Sequence, residues 1–186
     1  MSPSADGGQE RRRSDRGEVT KVDLLSMKKI KNPWKDPKNI GEYNCFACSP
    51  YNSAGLQLEF WEDGDEIITK WKPERSYEGW IGVLHGGIQA TLLDEIGGWV
   101  VMLKLKTAGV TTDMQVSYLK AVKVSKGEVT IKGKLIAHEG RTAKISASLY
   151  DGAGEECAKA EVSYFVFPEK IAKARYQYPG FEAFYD

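Results

Sequence analysis

The residues with the clearest potential for chemistry lie in Gly82–Leu105, the longest apolar run of the chain. His85, Gly86 and Gly87 open this run, and Asp94 follows seven residues after the second glycine. If the run is helical, its N-terminus offers unpaired N–H groups and a partial positive charge that can stabilise a developing oxyanion. Asp94 then lies two turns later on the same face, where a carboxylate can activate water as a general base or attack directly. The pattern predicts hydrolysis at a carbonyl group and leaves both mechanisms open.

A helix over this run is predicted from the spacing of its apolar residues. They recur at three- and four-residue steps, the period of an α-helix: Ile88, Leu92, Ile96, Val100 and Leu103. Other large apolar side chains fill most of the remaining circumference, so we expect the helix to be buried. A second face carries small residues and Asp94. It includes Gly97 and Gly98, and because each glycine costs a helix roughly 1 kcal/mol relative to alanine, we expect another backbone or a ligand to approach this face closely.

Two alternative interpretations concern the acidic residues of this run. A membrane-spanning helix would bury Asp94 and Glu95 near its centre at a cost of about 2.5–3.5 kcal/mol each, which disfavours it. Glu95 is the competitor of Asp94 as the reactive carboxylate, but its side chain should point about 100° away around the helix axis. We therefore select Asp94 and expect no membrane partner.

The remainder of the chain predicts a β-sheet. Alternating apolar and polar residues indicate two strands before the helix and four after it, at Leu56–Trp61, Glu66–Trp71, Val110–Tyr118, Gly127–Ala137, Thr142–Tyr150 and Glu156–Phe167. Asp63-Gly64 indicates a hairpin turn, Glu74–Gly82 is predicted as a loop, and Gly109 as the stop of the helix. The short links between strands indicate antiparallel neighbours. The predicted fold class is α+β, with one antiparallel sheet of about six strands curved around one long helix.

Composition and charge limit the classes of partner. The chain has 186 residues, enough for one domain with its own core. Lys plus Arg and Asp plus Glu both number 26, so the formal net charge is zero and no basic field favours nucleic acid. No apolar segment near the N-terminus indicates a signal peptide, and three cysteines, an odd number, argue against a disulfide framework. We expect a cytoplasmic protein without a nucleic-acid partner.

The chain divides into three predicted segments. Residues 1–26 contain few apolar residues and a cluster of arginines, which is typical of a disordered leader or upstream extension. A basic arm for an anionic partner is the alternative interpretation of that cluster. Residues 27–168 are predicted to form the folded domain. Residues 169–186 are an aromatic tail that we expect to pack over a surface or onto a partner subunit.

Cys45 and Cys48 form a Cys-x-x-Cys pair, a spacing shared by zinc sites and redox pairs. A closed structural zinc site needs four ligands. The remaining candidates, Cys157, His85 and His138, include no close second pair. We therefore interpret the two cysteines as small apolar residues of a packed loop and predict no metal site.

Several short motifs together resemble one family. The sequence His85-Gly86-Gly87-x-x-x-x-Leu92-x-Asp94 is similar to the signature of hotdog-fold acyl-CoA thioesterases of the phenylacetate-degradation type. Other stretches resemble the same family in the same order: Cys45-Phe-Ala-Cys48 with Asn52 and Gly55-Leu-x-Leu-x-Phe60, then Tyr77-Glu78-Gly79-Trp80-x-Gly82-Val83, then Val116-x-Tyr118-Leu119-x-x-Val122. The resemblance covers about Tyr43–Pro168. Two departures, Ser49-Pro50 in place of glycine and Glu78 in place of glutamine, affect the expected pocket shape.

This resemblance implies hydrolysis of an acyl-CoA thioester to a free acid and coenzyme A. No cofactor is required, because coenzyme A is part of the substrate. Asp94 is then the catalytic carboxylate, and the Gly87 N–H polarises the thioester oxygen. Thr111, on the facing strand, helps to position water, and His85 shapes the turn and contacts the substrate.

Four further residues are predicted to bind substrate. Gly86 leaves room for the carbonyl group because it has no Cβ. Thr112 is the neighbour of Thr111, and we expect one of these two threonines to line the site. Glu78 lies on the approach to the helix. Arg141, near a strand turn, is a candidate for the coenzyme A phosphates, with a solvated surface position as the alternative.

A single helix wrapped by one sheet leaves the sheet edges uncovered. We therefore expect a homodimer or homotetramer with the site shared between subunits. Two other functions stay open: a non-catalytic hotdog module that binds acyl-CoA, and a hotdog dehydratase or hydratase, which usually pairs a histidine with an acid differently. Release of a free thiol would distinguish hydrolysis from both.

Overall fold

A computed structural model describes residues 27–39 and 43–185 of the chain. The predicted leader, residues 1–26, lies outside the described residues. The first strand, β1, is Lys28–Ile30, followed by β2 at Phe60–Asp63 and β3 at Glu66–Trp71. A short hairpin consists of β4 (Glu78–Trp80) and β5 (Val83–Leu84), and the long helix α1 is Gly86–Lys104. The last strands are β6 (Gly109–Tyr118), β7 (Val129–Glu139), β8 (Thr142–Tyr150) and β9 (Glu156–Val166), and they precede helix α2 at Glu169–Tyr176.

Seven of these strands form one antiparallel sheet in the order β1-β2-β3-β7-β8-β9-β6. The sheet packs around α1, which contacts β3, β6, β7, β8 and β9. The predicted α+β hotdog architecture is confirmed, with seven strands in the main sheet in place of about six. The additional strand is β1, which pairs with β2 through Ile30 and Phe60. Three residues are too few to show a period in the sequence.

Helix α1 is shorter than the apolar run that predicts it. The first three residues of that run belong to the β4–β5 hairpin, where Gly82 has a positive φ of 71°, and the fourth, His85, is the N-cap of the helix. The predicted loop over Glu74–Gly82 is therefore wrong in part. The predicted helix stop at Gly109 is also wrong, because the helix ends at Lys104 and Gly109 begins β6. Within the described ranges, no helix is long and apolar enough to cross a membrane.

The core surrounds α1 on nearly all sides, as its apolar circumference predicts. Its buried residues include large apolar side chains from each turn after the first: Leu92, Leu93, Ile96, Trp99, Val100, Val101 and Leu103. Trp99 stacks on Phe60 with ring centroids 4.0 Å apart. Full burial of one such side chain contributes about 1.5–3 kcal/mol, so α1 is the element that holds the sheet in its curved shape.

The strand predicted at Leu56–Trp61 begins four residues later in the structure, at Phe60 of β2. Leu56 and Leu58 are buried, but their N–H groups donate to Phe46 O and Ala47 O, at 2.8 and 2.9 Å. This segment is thus paired with the loop that contains the two cysteines, and only its end at Phe60 joins the sheet.

The C-terminal segment packs against the core of its own chain. After α2, a short 3-10 helix at Phe181–Phe184 places the Phe184 ring 5.6 Å from Trp99 and 6.0 Å from Trp34. The Lys31 N–H donates to Phe184 O at 2.9 Å. These contacts show that the aromatic tail completes the core beside α1. The limits 27–168 and 169–186 stay a prediction.

Candidate active site

Asp94 lies half-way along α1 and is held by two hydroxyl groups. The Thr111 Oγ1 donates to Asp94 Oδ1 at 2.7 Å, across the gap between the helix and β6. The Tyr164 Oη lies 3.1 Å from the same carboxylate oxygen and donates to the Asp94 backbone oxygen at 2.6 Å. Both side-chain bonds use Oδ1, so Oδ2 is the oxygen that can face a water molecule or a substrate. Asp94 is only partly buried, which leaves this approach open.

Tyr164 is a site residue that the sequence prediction missed. Its position in the alternating pattern of β9 predicts a core residue, and its side chain is indeed only 2% exposed. Burial raises the pKa of the Tyr164 phenol, and the nearby Asp94 carboxylate raises it further, so the group stays a hydrogen-bond donor. A signal was present in the sequence, because a tyrosine on an inward face needs a partner for its hydroxyl.

The small face of α1 is explained by this tyrosine. A Cβ added to Gly97 would lie 2.6 Å from Tyr164 Oη, so the glycine makes room for the phenol that contacts Asp94. The small face is approached closely at Gly97, but the approaching group is a side chain and not the backbone or ligand that we expected. No such contact explains Gly98, where an added Cβ meets nothing within 4 Å.

A β-bulge in β6 selects Thr111 as the threonine that faces the helix. Thr111 pairs with Tyr164 and Asp113 pairs with Ser163, so Thr112 is an extra residue without a partner in the ladder. The Thr112 Oγ1 donates to Ser163 O at 3.1 Å. Of the two predicted threonines, Thr111 therefore contacts Asp94, and Thr112 is bonded to the backbone of β9.

The N-terminus of α1 is capped by His85. Its Nδ1 accepts a hydrogen bond from the Gly87 N–H at 2.9 Å. A neutral imidazole that accepts at Nδ1 carries its proton on Nε2. The N–H that we expected to be open for a substrate oxygen is thus already paired, and the His85 Nε2–H is a second donor at the same helix end. The Gly86 carbonyl accepts a bond from Tyr118 Oη at 3.0 Å.

A cleft of about 640 Å³ borders this helix end. Its lining comes from the β4–β5 hairpin, the start of α1 and the segment after β6: Gly79, Trp80, Val83, Leu84, His85, Gly86, Gln89, Tyr118, Leu119, Lys120 and Ala121. Gln89 Nε2 donates to Leu84 O at 3.0 Å. In the described part of the chain, the Gln89 Oε1 is buried without a partner. Trp80 and Ile81 project from the hairpin, 82% and 93% exposed.

Two predicted substrate-binding residues lie apart from Asp94. Glu78 is on β4 at the edge of this cleft, with Arg75 Nε 3.8 Å from its Oε1. Arg141 follows the β7–β8 turn and lines a different pocket, together with Leu105 at the end of α1. That end of the helix is about 15 Å from Asp94, from the rise of 1.5 Å per residue. Within one chain, Arg141 is not brought together with the His85 end of the helix.

Glu95 points away from Asp94, as its place on the helix predicts. Its Oε1 accepts from Trp99 Nε1 at 3.0 Å, and the Cys45 Sγ lies 3.7 Å from its Oε2. Burial raises the pKa of the Glu95 carboxyl to about 8, and the Cys45 thiol adds to this shift. Asp94 and Glu95 thus belong to two separate clusters.

Comparisons with known proteins place this geometry in a family. A family model described as the thioesterase superfamily matches residues 81–158. A Streptococcus pneumoniae thioesterase solved with coenzyme A is 30% identical, with a TM-score of 0.55 over 60% of this chain and 87% of that one. The chain belongs to the thioesterase superfamily. The thioesterase match begins at the β4–β5 turn and includes α1, β6, β7, β8 and the first three residues of β9.

Sequence relatives agree with this membership. A Saccharolobus solfataricus protein assigned to the esterases is 29% identical over 121 residues, 64% of this chain and 78% of that protein. Mouse acyl-coenzyme A thioesterase 13 is 33% identical over 79 residues, which are 42% of this chain and 55% of the relative. The chain thus spans about half the length of that relative. These findings make the protein a thioester hydrolase; the phenylacetate-degradation subtype stays a prediction.

Proposed function

We propose that this thioesterase hydrolyses acyl-coenzyme A thioesters to a free acid and coenzyme A, with Asp94 as the catalytic carboxylate. The observation that carries the proposal is the Asp94 carboxylate, fixed by the hydroxyls of Thr111 and Tyr164 on the small face of a buried helix. The named relatives support the substrate class: one is an acyl-coenzyme A thioesterase, and another was solved with coenzyme A. The pneumococcal protein was also solved as single alanine variants of one threonine and one aspartate, the two residue types that meet here.

In the proposed reaction, Asp94 Oδ2 takes a proton from water as the water oxygen attacks the thioester carbonyl carbon. The tetrahedral intermediate then collapses, the C–S bond breaks, and coenzyme A leaves as a thiol after it regains the proton. General-base assistance of this kind contributes about 10²–10⁴ in rate. Direct attack by the carboxylate, with a mixed anhydride as the intermediate, is the alternative mechanism.

The oxyanion is stabilised at the N-terminus of α1. The Gly87 N–H serves this role if His85 Nδ1 releases it, and the His85 Nε2–H is a donor that needs no such change. One donor of this kind contributes about 10²–10³ in kcat. His85→Asn distinguishes the two, because asparagine is a good N-cap but removes the ring donor.

A site completed by a second copy of the chain is part of the proposal. β6 is an edge strand in the described sheet, and Val110, Tyr118 and Leu119 on and next to it are 41%, 54% and 46% exposed. Pairing of two β6 strands would cover this edge and bring the partner chain next to Asp94. A homodimer, or a homotetramer built from such dimers, is the assembly we propose.

The decisive experiment measures free-thiol release from short, medium, long and aromatic acyl-CoAs. Wild type is compared with Asp94→Asn, and Glu95→Gln is the matched control because it replaces the neighbouring acid, which points about 100° away around the helix, with its amide. We expect Asp94→Asn to lose at least about 10²-fold in kcat with an unchanged circular dichroism spectrum, and Glu95→Gln to retain turnover. A fully active Asp94→Asn variant, or the absence of thiol release from every acyl-CoA, would refute the proposal.

A further inference from the structure

The loop that carries Cys45 and Cys48 is a rigid turn. The Ser49 N–H donates to Cys45 O at 3.2 Å, and the Cys48 N–H points at Cys45 Sγ at 3.4 Å. The following segment fixes the loop from outside through its bonds to Phe46 O and Ala47 O. The loop backbone is therefore fixed, and the Cys45 sulfur is held by a backbone N–H, before any ligand binds.

Glu95 adds a third donor to this pair. Its two carboxylate oxygens lie 3.8 and 3.7 Å from Cys45 Sγ. One oxygen of Glu95 and the two sulfur atoms all lie within 4.8 Å of one another. Cys48 and Cys45 come from the loop and Glu95 from α1, so the cluster joins two elements that are distant in the chain.

The separations between Cys45 and Glu95 match those between sulfur and oxygen ligands of a tetrahedral zinc site. With Zn–S bonds of about 2.3 Å and Zn–O bonds of about 2.1 Å, tetrahedral geometry places sulfur and oxygen ligands about 3.6 Å apart. The measured separations between Cys45 and Glu95 differ from this value by about 0.2 Å or less. A central ion would thus need little movement of either side chain.

Neighbouring side chains contact Glu95 and Cys48 and hold them in place, as residues around metal ligands do. The Trp99 Nε1–H donates to Glu95 Oε1 and leaves Oε2 towards the sulfur atoms, and such bonds orient ligating carboxylates in metal sites. The Tyr43 Oη lies 3.0 Å from Cys48 Sγ and is held by a ring stack on Trp34 with centroids 4.3 Å apart. The Tyr43 hydroxyl is already paired with Cys48 Sγ, so a water that enters beside the partly exposed Cys45 is the candidate for the fourth position.

We propose that Cys45, Cys48 and Glu95 bind one thiophilic divalent cation, with zinc as the physiological candidate. The site is separate from Asp94 and does not depend on the proposed function. It clamps the Cys45–Cys48 loop to the middle of α1. The prediction of no metal site considered only cysteine and histidine as further ligands, so Glu95 was not among its candidates.

Cobalt is the probe that tests this site. The full chain, reduced and freed of metal with a chelator, is titrated with Co²⁺ under anaerobic conditions. Thiolate ligation gives sulfur-to-cobalt charge-transfer absorption in the near ultraviolet, and tetrahedral geometry gives intense visible bands. We expect both at one cobalt per chain, displaced by one equivalent of Zn²⁺, with native mass spectrometry to count the zinc.

The variants separate a built site from adventitious binding. Cys45→Ser and Cys48→Ser should each abolish the charge-transfer band, and Glu95→Gln should weaken cobalt binding by about tenfold or more. Cys157→Ser is the matched control, because Cys157 is a buried cysteine on β9, and it should bind cobalt like wild type. Zinc should also raise the melting midpoint of wild type and Cys157→Ser but not of Cys48→Ser.

Three results would overturn the proposal. The first is the absence of charge-transfer absorption in reduced wild type. The second is a band that persists in Cys48→Ser or disappears in Cys157→Ser. The third is an unchanged affinity in Glu95→Gln, which would remove the carboxylate from the ligand set. Each of these readouts is independent of thioesterase activity, so a failure here is distinguishable from a failure of the proposed reaction.

Discussion

Tyr164→Phe is the substitution that best tests how the site is held together. It removes one oxygen atom and keeps the aromatic ring that packs beside Gly97. That oxygen makes two contacts with Asp94, one to the backbone carbonyl at 2.6 Å and one to Oδ1 at 3.1 Å. The variant therefore removes one of the two hydroxyl partners of the carboxylate without touching the cleft at the start of α1.

The expected magnitudes follow from these two contacts. A hydrogen bond to a neutral group contributes about 0.5–1.5 kcal/mol and one to a charged group about 1.5–3 kcal/mol. The Oδ1 contact is long and Thr111 still donates to that oxygen, so we expect a total loss of about 1–3 kcal/mol in the free energy of unfolding. If about 1.4 kcal/mol of transition-state stabilisation depends on the orientation of the carboxylate, kcat falls about tenfold.

Tyr178→Phe is the matched control for this experiment. The Tyr178 Oη donates to Met102 O at 3.0 Å, so this variant also removes a tyrosine hydroxyl from a backbone carbonyl of α1, about two turns beyond Asp94. Both variants are compared by chemical denaturation and by the kcat and KM of thiol release. We expect a stability loss in both, but a decrease in kcat only in Tyr164→Phe, with KM nearly unchanged. Equal kcat values for Tyr164→Phe and wild type, or an equal decrease in Tyr178→Phe, would refute this account of the site.

Three further predictions concern the threonine pair, the second carboxyl group and the shared site. Thr111→Val should lower kcat about tenfold or more because it removes the 2.7 Å bond to Asp94, whereas Thr112→Val should lower kcat less than twofold. Steady-state kinetics measure both effects. A larger loss in Thr112→Val than in Thr111→Val would show that the β-bulge does not decide which threonine serves the site. Glu95 has a folded pKa of about 8 against an unfolded value of 4.5, so the folded state binds more protons between these values. Stability of the metal-free protein should therefore fall as pH rises from about 4.5 to about 8, by up to about 1.4 kcal/mol per pH unit, and urea denaturation of Glu95→Gln should lack this component. If Arg141 serves the site of a partner chain, Arg141→Ala should raise KM several-fold. In mixed dimers of Arg141→Ala and Asp94→Asn chains, one site combines an intact Asp94 with an intact Arg141, so co-expression should restore the wild-type KM. If KM is not restored, Arg141 lies outside the shared site.

The parts of the fold that the sequence predicted are those with a regular period. Helix α1 and strands β3, β6, β7, β8 and β9 each have enough residues to show a three- to four-residue or two-residue repeat. Strand β1 and the β4–β5 hairpin have two or three residues per strand and no readable period. The same limit explains the late start of β2, because Leu56 and Leu58 alternate like strand residues but bond to the cysteine loop.

The parts of the site that the sequence did not predict depend on contacts between distant residues. The offset between the glycines and Asp94 is local, and so is the choice of a threonine on the next strand. The contact of Tyr164 with Asp94 joins residues 70 positions apart. The sequence indicates that the Tyr164 hydroxyl needs a partner and that Cys45 and Cys48 are a pair, but it does not indicate that Asp94 and Glu95 are the residues they meet.

The consecutive positions of Asp94 and Glu95 on α1 favour Asp94 over Glu95 as the carboxylate of the proposed reaction. The two side chains point about 100° apart, so Asp94 meets hydroxyl groups near the open edge of the sheet, and Glu95 meets an indole and thiols in the interior. With its pKa raised to about 8, the Glu95 carboxyl of the metal-free protein is largely protonated at neutral pH, and a protonated carboxyl cannot accept a proton from water. Asp94→Asn should therefore stay inactive although Glu95 is intact. Thiol release that survives Asp94→Asn but disappears on adding Glu95→Gln would show that the interior carboxyl reaches the substrate and would contradict this division of roles.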